Sequence, residues 1–401
     1  MIYQHKNLCV LRVLCGKKTL TLKLETLNLK LLFLIILAIF LSSCAPQPPE
    51  PGIGEAIDWD DLPGWNSDRH AEAWPALLQQ CEVLAKREPQ WERLCLDAEA
   101  LGDVDDDIAR TFFENRFTPH PVIPSNKEDG SPGTGLVTGY YEPLLNGSLS
   151  RGEQYRYPLY AVPDDLLRID LADLYPELSK MRLRGRVVGK KVVAYPDRAT
   201  IDGEDSPLWG KELVWIDDPV AVFFLHVQGS GRIQMDDGSI MAVGYADQNG
   251  QPYTSIGKIL IERGEIPRED ISLFTIRQWL KDHPQQAQAL LEENRSYIFF
   301  QLRENTDENP RGSLNIPLTP SRSIAVDPVN IPLGSPVWLH TSYPGEPDGS
   351  LQRLAFAQDT GGAIKGYARA DVFWGNGEMA EKLAGKMKQE AELYVLVPQQ
   401  K

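Results

Sequence analysis

The chain reads as a mainly β protein of the α+β class, with helices gathered toward its N-terminal side. Three observations give that reading. Between Ser67 and Phe117 apolar residues recur at three- and four-residue steps, the period of a helix buried on one face. After Pro121 the pattern changes to short runs rich in Val, Tyr and Phe, punctuated by Gly and Pro, which argues for a barrel or a sandwich. No internal repeat is found, and low complexity is confined to a Pro-rich stretch after residue 44.

Taken in order, Ser67 or Asp68 can cap a first helix that carries Trp74, Leu77, Leu78, Cys81 and Leu84. Arg87-Glu88-Pro89 breaks it, and Trp91, Leu94, Cys95, Ala98 and Leu101 stripe a second. Ile108, Phe112, Phe113 and Phe117 predict a third, ended by Pro119 and Pro121. Strands are expected over 136–141, ending at Glu142-Pro143, and at 157–160, 187–188, 191–195 and 212–216. A further strand is expected over Ala221–Gln228, just before Gly229-Ser230-Gly231. Two helices follow in 254–265 and 270–293, the second interrupted near His283-Pro284, and then a strand at Tyr297–Phe300. The last hundred residues read as short strands, a helix over Glu378–Met387 and a final strand over Leu393–Val397.

At 401 residues the chain has room for two or three domains, and its 42% hydrophobic and 24% charged content is ordinary for a globular protein. The formal charge is −15. Residues 1–43 hold six basic side chains and one acid, so setting aside their +5 leaves −20 on the rest. Such a surface argues against nucleic-acid partners, which need clustered Lys and Arg. It argues equally against electrostatic capture by anionic lipid.

The N-terminus carries an address. Leu31–Leu41 is uncharged, follows Lys30, and is shorter than the roughly 20 apolar residues of a membrane-spanning helix, which fits a signal-peptide core. Leu41-Ser42-Ser43-Cys44 resembles the lipobox of bacterial lipoproteins, in which the cysteine takes the lipid. Ala45 rather than Asp follows, which in resembling lipoproteins favours the outer membrane. Residues 1–29 are longer than a typical basic leader, so an over-extended start is expected. Of five cysteines (Cys9, Cys15, Cys44, Cys81, Cys95), removal of the leader and lipidation of Cys44 leave two. In an oxidising periplasm that even remainder predicts a Cys81–Cys95 disulfide.

The chemistry concentrates near the C-terminus. Ala357–Gly375 places Asp359 and Asp371 among glycines and aromatics, and Asp327 closes the run Ser321–Asp327. Glycines let backbone approach a ligand closely. A carboxyl held in a desolvated place keeps its proton and can act as an acid. Upstream stand Asp61–Trp65, Thr138–Pro143, Tyr195–Ile201, Phe223–Gly231, Gly244–Ala246, Asn249–Tyr253 and Ser255–Lys258. In this order, over about residues 60 to 400, the motifs resemble those of the membrane-bound lytic murein transglycosylase A (MltA) family.

The resemblance implies a double-psi β-barrel carrying Asp327, Asp359 and Asp371, built from 61–142 plus 306–401 with the N-terminal helices. A mixed, mostly β domain over 143–305 is inserted into it and forms the other wall of a glycan groove. Residues 1–43 are then the leader and 44–60 a lipidated tether. The implied substrate is peptidoglycan, cut without water at the β-1,4 bond between N-acetylmuramic acid and N-acetylglucosamine. Asp371 matches the family's single catalytic residue, acid first and base second. Asp359 reads as a supporting or tuning carboxylate, and Asp327 as structural or groove-lining. Thr138, Gly139, Tyr140, Gln228, Gly229 and Ser230 carry over as groove residues. Taken alone, an Asp between Ala370 and Val372 reads as a cap or turn residue, and Phe373 and Trp374 read as core.

Two other readings compete. Asp359-Thr360-Gly361 matches the aspartic-protease triplet, but that chemistry needs two carboxylates sharing a proton, and no second triplet occurs. An expansin-like barrel would bind wall glycan without cutting it. No cofactor or metal is expected: the six histidines show no ligand spacing, and Gly229-Ser230-Gly231 lacks a phosphate-loop pattern. The implied setting is the periplasmic face of the outer membrane. Protein partners such as murein synthases stay unspecified.

Overall fold

The computed structural model describes residues 50–125, 134–178 and 181–399. The expected signal segment and Cys44 lie outside the described residues. Strand β1 (Gly52–Ile53) precedes three helices, α1 (Trp74–Arg87), α2 (Pro89–Leu101) and α3 (Asp106–Arg116), and then strands β2 (Phe117–Ile123) and β3 (Gly135–Glu142). Next come β4 (Leu144–Ser148), β5 (Tyr157–Tyr160), β6 (Leu167–Arg168), β7 (Arg184–Val188), β8 (Lys191–Ala194), the single turn α4 (Arg198–Asp202), β9 (Glu212–Ile216) and α5 (Pro219–Gln228). Strands β10 (Ser230–Met235) and β11 (Ile240–Gln248) lead to α6 (Ile256–Glu262), α7 (Leu273–Asp282), α8 (Pro284–Glu292) and β12 (Ile298–Leu302). The final part is β13 (Ser323–Val326), β14 (Pro336–Tyr343), β15 (Glu346–Asp359), β16 (Arg369–Asn376), α9 (Glu378–Lys386) and β17 (Lys388–Pro398).

Six strands close on themselves in the order β3, β17, β14, β15, β13, β16 and back to β3. Two of those pairings are parallel, β13 with β15 and β16 with β3; the others are antiparallel. Closure leaves no free edge in the ring. Its interior is packed by Val137, Ile324, Val326, Val337, Leu339, Ala355, Ala357, Ala370, Val372, Leu393 and Val395. Alanines opposite branched residues fill a small barrel without voids. The chain between β3 and β13 forms a separate six-stranded sheet, ordered β12, β11, β10, β4, β9, β5, and a three-stranded sheet of β6, β7 and β8.

The N-terminal helices cover one outer side of the barrel. Trp65, Trp74, Trp91, Phe112, Phe113 and Phe117 pack with Trp338 and Phe356 in one buried cluster. Cys81 and Cys95 are bonded across the α1–α2 hairpin, with Cα atoms 5.5 Å apart. Arg322 fixes this layer to the barrel. Its fully buried guanidinium donates to both carboxylate oxygens of Asp68, to Glu72 and to the carbonyls of Arg69 and Leu354.

Three sequence expectations differ from the structure. Ala221–Gln228 is helical, not a strand. Pro219 opens α5, the Asp218 carboxylate accepts from the Val220 N–H, and Gly229 at φ 82° ends it. Val222, Phe223, Phe224 and Leu225 are all buried, because α5 packs on the sheet on one side and on α6–α8 on the other. A helix covered all round shows no amphipathic stripe, so its apolar run mimics a strand.

The third helix ends at Arg116, and Pro119 and Pro121 lie inside β2. Their carbonyls accept from Ile57 and Gly54 on the outer side of that strand, where no ring N–H is required. Leu101 and Ile108, expected on buried faces, point outward.

Candidate active site

The parallel pair β3 and β16 sets Thr138 opposite Asp371 and Tyr140 opposite Phe373. Side chains alternate along a strand. Ala370 and Val372 are buried in the barrel, so Asp371 between them faces outward. On β3, Val137 points in and Thr138 and Tyr140 lie on the outer face. Gly139 lies where a Cβ would meet the Trp374 indole and the α9 backbone at Ala384, under 3 Å away, so only glycine fits there.

Asp371 receives a 2.5 Å hydrogen bond from the Thr138 hydroxyl. That hydroxyl in turn accepts from Arg369 Nη2 at 2.8 Å. The Asp371 carboxyl keeps some solvent contact, but protein surrounds it closely. Burial pushes its pKa up to about 6 and the Asp359 charge adds to the rise, while Arg369 and the Thr138 hydrogen bond oppose it. Because Thr138 occupies Oδ1, the other oxygen is the one left to carry the proton.

Asp359 ends β15. Its Oδ1 accepts from Ser313 N–H, Ser313 Oγ and Thr360 N–H at 2.8–3.1 Å, and its Oδ2 accepts from the Tyr140 phenol at 2.9 Å. Burial raises its pKa and these hydrogen bonds pull it back. Tyr140 is pushed far above the ordinary phenol range by burial and by Asp359, so it stays a neutral donor. Asp327 sits apart as a turn anchor. Its carboxylate accepts from Val329 N–H, the Asn330 side chain and Gly366 N–H, with the Lys365 ammonium 3.9 Å away.

The other expected groove residues divide. Gln228, at the end of α5, accepts from the Tyr141 N–H, which ties that helix to the strand carrying Thr138 and Tyr140. Gly229 is the left-handed helix cap, and Ser230 is buried at the start of β10. Phe373 and Trp374 are buried; Phe373 packs against Tyr140, and the Trp374 indole donates to Met387 sulfur.

Three side chains escaped sequence reasoning. Arg369 was legible, since it lies two residues before Asp371 on one strand and shares its face. Tyr253 ends the Asn249–Tyr253 motif; its phenol pKa is raised first by burial and also by the charge of Asp371. Ser313 gave no signal, because its contact with Asp359 spans 46 residues. A cavity of about 640 Å³ lies toward Tyr141, lined also by Glu142, Arg277 and Glu381, where Tyr141 donates to Glu381. By strand alternation Tyr141 points away from Tyr140, so this cavity is not on the aspartate face.

The site therefore offers one outward carboxyl that holds its proton to about pH 6, a neighbouring carboxyl engaged through both oxygens, and neutral phenols. Among the described residues no group of three His, Cys, Asp or Glu side chains is arranged to hold a metal ion. The arrangement is a closed barrel that carries two neighbouring carboxyls with raised pKa values, one of them outward and free at one oxygen, with a long β segment inserted after the strand beside them.

Family profiles match twice, the MltA specific insert domain over residues 136–301 and the 3D domain over residues 322–397. The chain is 34% identical over 257 residues to the membrane-bound lytic murein transglycosylase A homolog of Buchnera aphidicola, covering 62% of each chain. It is similar in structure to the membrane-bound lytic murein transglycosylase from Agrobacterium tumefaciens, with TM-score 0.74 and 34% identity, over 86% of this chain and 97% of that one. It is also similar to E. coli MltA with bound chitohexaose, with TM-score 0.61 and 25% identity, over 89% and 94%. The chain belongs to the MltA family. The curated relative named here is matched over less than two thirds of its own length.

Proposed function

We propose that this protein is a lytic transglycosylase of peptidoglycan. One observation carries the reading: Asp371 faces outward with a raised pKa, while Asp359 has both oxygens occupied by four hydrogen bonds. Hydrolytic glycosidases use two working carboxyls, one for the leaving group and one for water or covalent attack. Here a single carboxyl is available. Protonated Asp371 gives its proton to the oxygen bridging N-acetylmuramic acid and N-acetylglucosamine, and the C1–O bond breaks. The resulting carboxylate removes the proton from the muramoyl O6, which attacks C1 and closes a 1,6-anhydro ring. The proton returns to Asp371, so no water is consumed. The murein transglycosylase relatives support this substrate class, and the chitohexaose bound by the E. coli protein is a β-1,4 glycan of the same backbone.

The reading includes the division into a barrel (61–142 plus 306–401) and an insert (143–305), with glycan between them, and a lipid at Cys44 that holds the protein on the periplasmic face of the outer membrane. Among the described residues no helix is long and apolar enough to cross a membrane. Incubation with purified sacculi tests the activity. The expected products end in 1,6-anhydromuramic acid, one water lighter than hydrolysis products. Reducing-end muramic acid would indicate a hydrolase, and binding without cleavage an expansin-like role. Cys44→Ala should move the protein from the membrane fraction to the soluble one; retention in the membrane would mean another anchor.

A further inference from the structure

Within the acidic part of the chain after the leader lies a conspicuously basic stretch. From Met181 to Ala194 it carries Arg182, Arg184, Arg186, Lys190 and Lys191 and no acid. This stretch includes β7 and β8 of the inserted segment. From its start Arg182 reaches the barrel, where Nη2 donates to Thr360 Oγ at 3.3 Å. Thr360 directly follows Asp359, and its hydroxyl is 2.7 Å from that of Ser313, a ligand of Asp359. Arg182 therefore stands at the aspartate face of the barrel while belonging to the insert.

Two more guanidiniums lie beside it. Arg168 and Arg184 share one carboxylate, that of Asp247, through Nε contacts of 2.7 and 2.8 Å, and that carboxylate is almost fully buried. Among the described residues no carboxylate pairs with Arg182. Three cations against one acid leave a positive surplus. The phenol of Tyr245, on β11, lies in the field of all three arginines and is 40% exposed. A guanidinium whose only cross-domain partner is a neutral hydroxyl at 3.3 Å has a better acceptor in any carboxylate that arrives.

We propose that Arg182, flanked by Arg168, Arg184 and Tyr245, is a carboxylate subsite of the glycan-binding face, and that its ligand is the acid carried on O3 of the muramoyl sugar. This rests on the reading given under Proposed function and deepens it. The muramoyl unit differs from N-acetylglucosamine only by that substituent. In peptide-free strands it ends in the lactyl carboxylate, and in peptide-bearing strands the acid belongs to the attached peptide. The rest of the mature chain is acidic and repels both, so this local cluster of three guanidiniums selects muramoyl over plain chitin-type units at this position.

The test compares KM on three substrates: peptide-bearing strands, peptide-free strands with free lactyl carboxylates, and peptide-free strands whose carboxylates have been coupled to methylamine. The wild type should show KM about tenfold higher on the neutralised strands, the size expected for one charged hydrogen-bonded contact. In Arg182→Gln that ratio should fall to near one, with Arg182→Lys between the two. A collapse confined to the peptide-free pair assigns the lactyl carboxylate as ligand, and one confined to peptide-bearing strands assigns the peptide acid. An unchanged ratio in Arg182→Gln, or a uniform rise of KM on all three substrates, overturns the proposal, since the latter marks an arginine that merely steadies the Thr360 turn. If the wild type cleaves none of them, the transglycosylase reading falls instead, and the same ratio measured as binding by Asp371→Asn protein still decides the subsite.

Discussion

Thr138 and Asp371 are register partners on two parallel strands, and the hydroxyl of the first donates to the carboxyl of the second. A donor aimed at a carboxylate stabilises its charged form and so lowers its pKa. Thr138 thus restrains the rise that burial imposes on Asp371. Thr138→Val should release that restraint, move the alkaline limb of the pH–rate profile upward from about pH 6, and reduce the maximal rate because the carboxyl loses its orientation. Thr138→Ser should keep the wild-type limb. A limb in Thr138→Val that stays in place would mean another group controls the profile.

Asp371→Asn should lower sacculus digestion by at least about a hundredfold, the usual scale of general acid–base catalysis. It should also stabilise the fold at neutral pH. The folded-state pKa of about 6 lies above the ordinary 3.8, so the folded protein holds this proton more tightly than the unfolded chain does. That contribution is complete below about pH 4 and is lost as pH rises through about 6. At pH 7.5 the ionised side chain then costs up to about 3 kcal/mol, less for its residual contact with solvent. The melting temperature of Asp371→Asn should exceed that of wild type at pH 7.5 and match it near pH 4. Equal melting temperatures at both values would show that the carboxyl is not desolvated.

Arg322→Ala should destabilise the protein by about 3–5 kcal/mol, because it strands the buried Asp68 carboxylate without its partner. Urea unfolding measures this. The double variant Arg322→Met with Asp68→Asn should recover much of the loss, since it removes the orphaned charge. A double variant as unstable as the single one would assign the loss to packing.

Removing the Cys81–Cys95 bond, which spans 14 residues, should cost roughly 3 kcal/mol on the loop-entropy account. Thiol titration of the unfolded, unreduced protein should find neither cysteine free. Two titratable thiols would contradict the pairing.

How much of this was written in the sequence follows from the range of each interaction. The outward face of Asp371 is readable from Ala370 and Val372 beside it, because a strand's period is two. The α1–α2 stripes and the cysteines on them are readable for the same local reason. Helix α5 was misread because burial on two sides erases the stripe that marks a helix. Strand β2 was misread because prolines tolerated beside a short outer strand look, locally, like a helix terminator. Arg322 with Asp68 and Asp359 with Ser313 join residues far apart in the chain, and no spacing rule within one segment announces them.

Glu142, the last residue of β3, has no solvent-accessible side chain and is held by Arg232 from β10 and by Arg303 just beyond β12. The strand that bears Thr138 leaves the barrel at this residue, and the returning chain supplies one of its two counter-ions. The intervening segment is therefore not a detachable cassette. A shortened barrel stripped of it would retain a bare interior anion at the end of its own catalytic strand, and a transplanted segment would carry two unmatched cations to its new host. Swaps between relatives should succeed only when all three side chains travel together, since the ion pairs bind the two halves of this protein into one electrostatic unit.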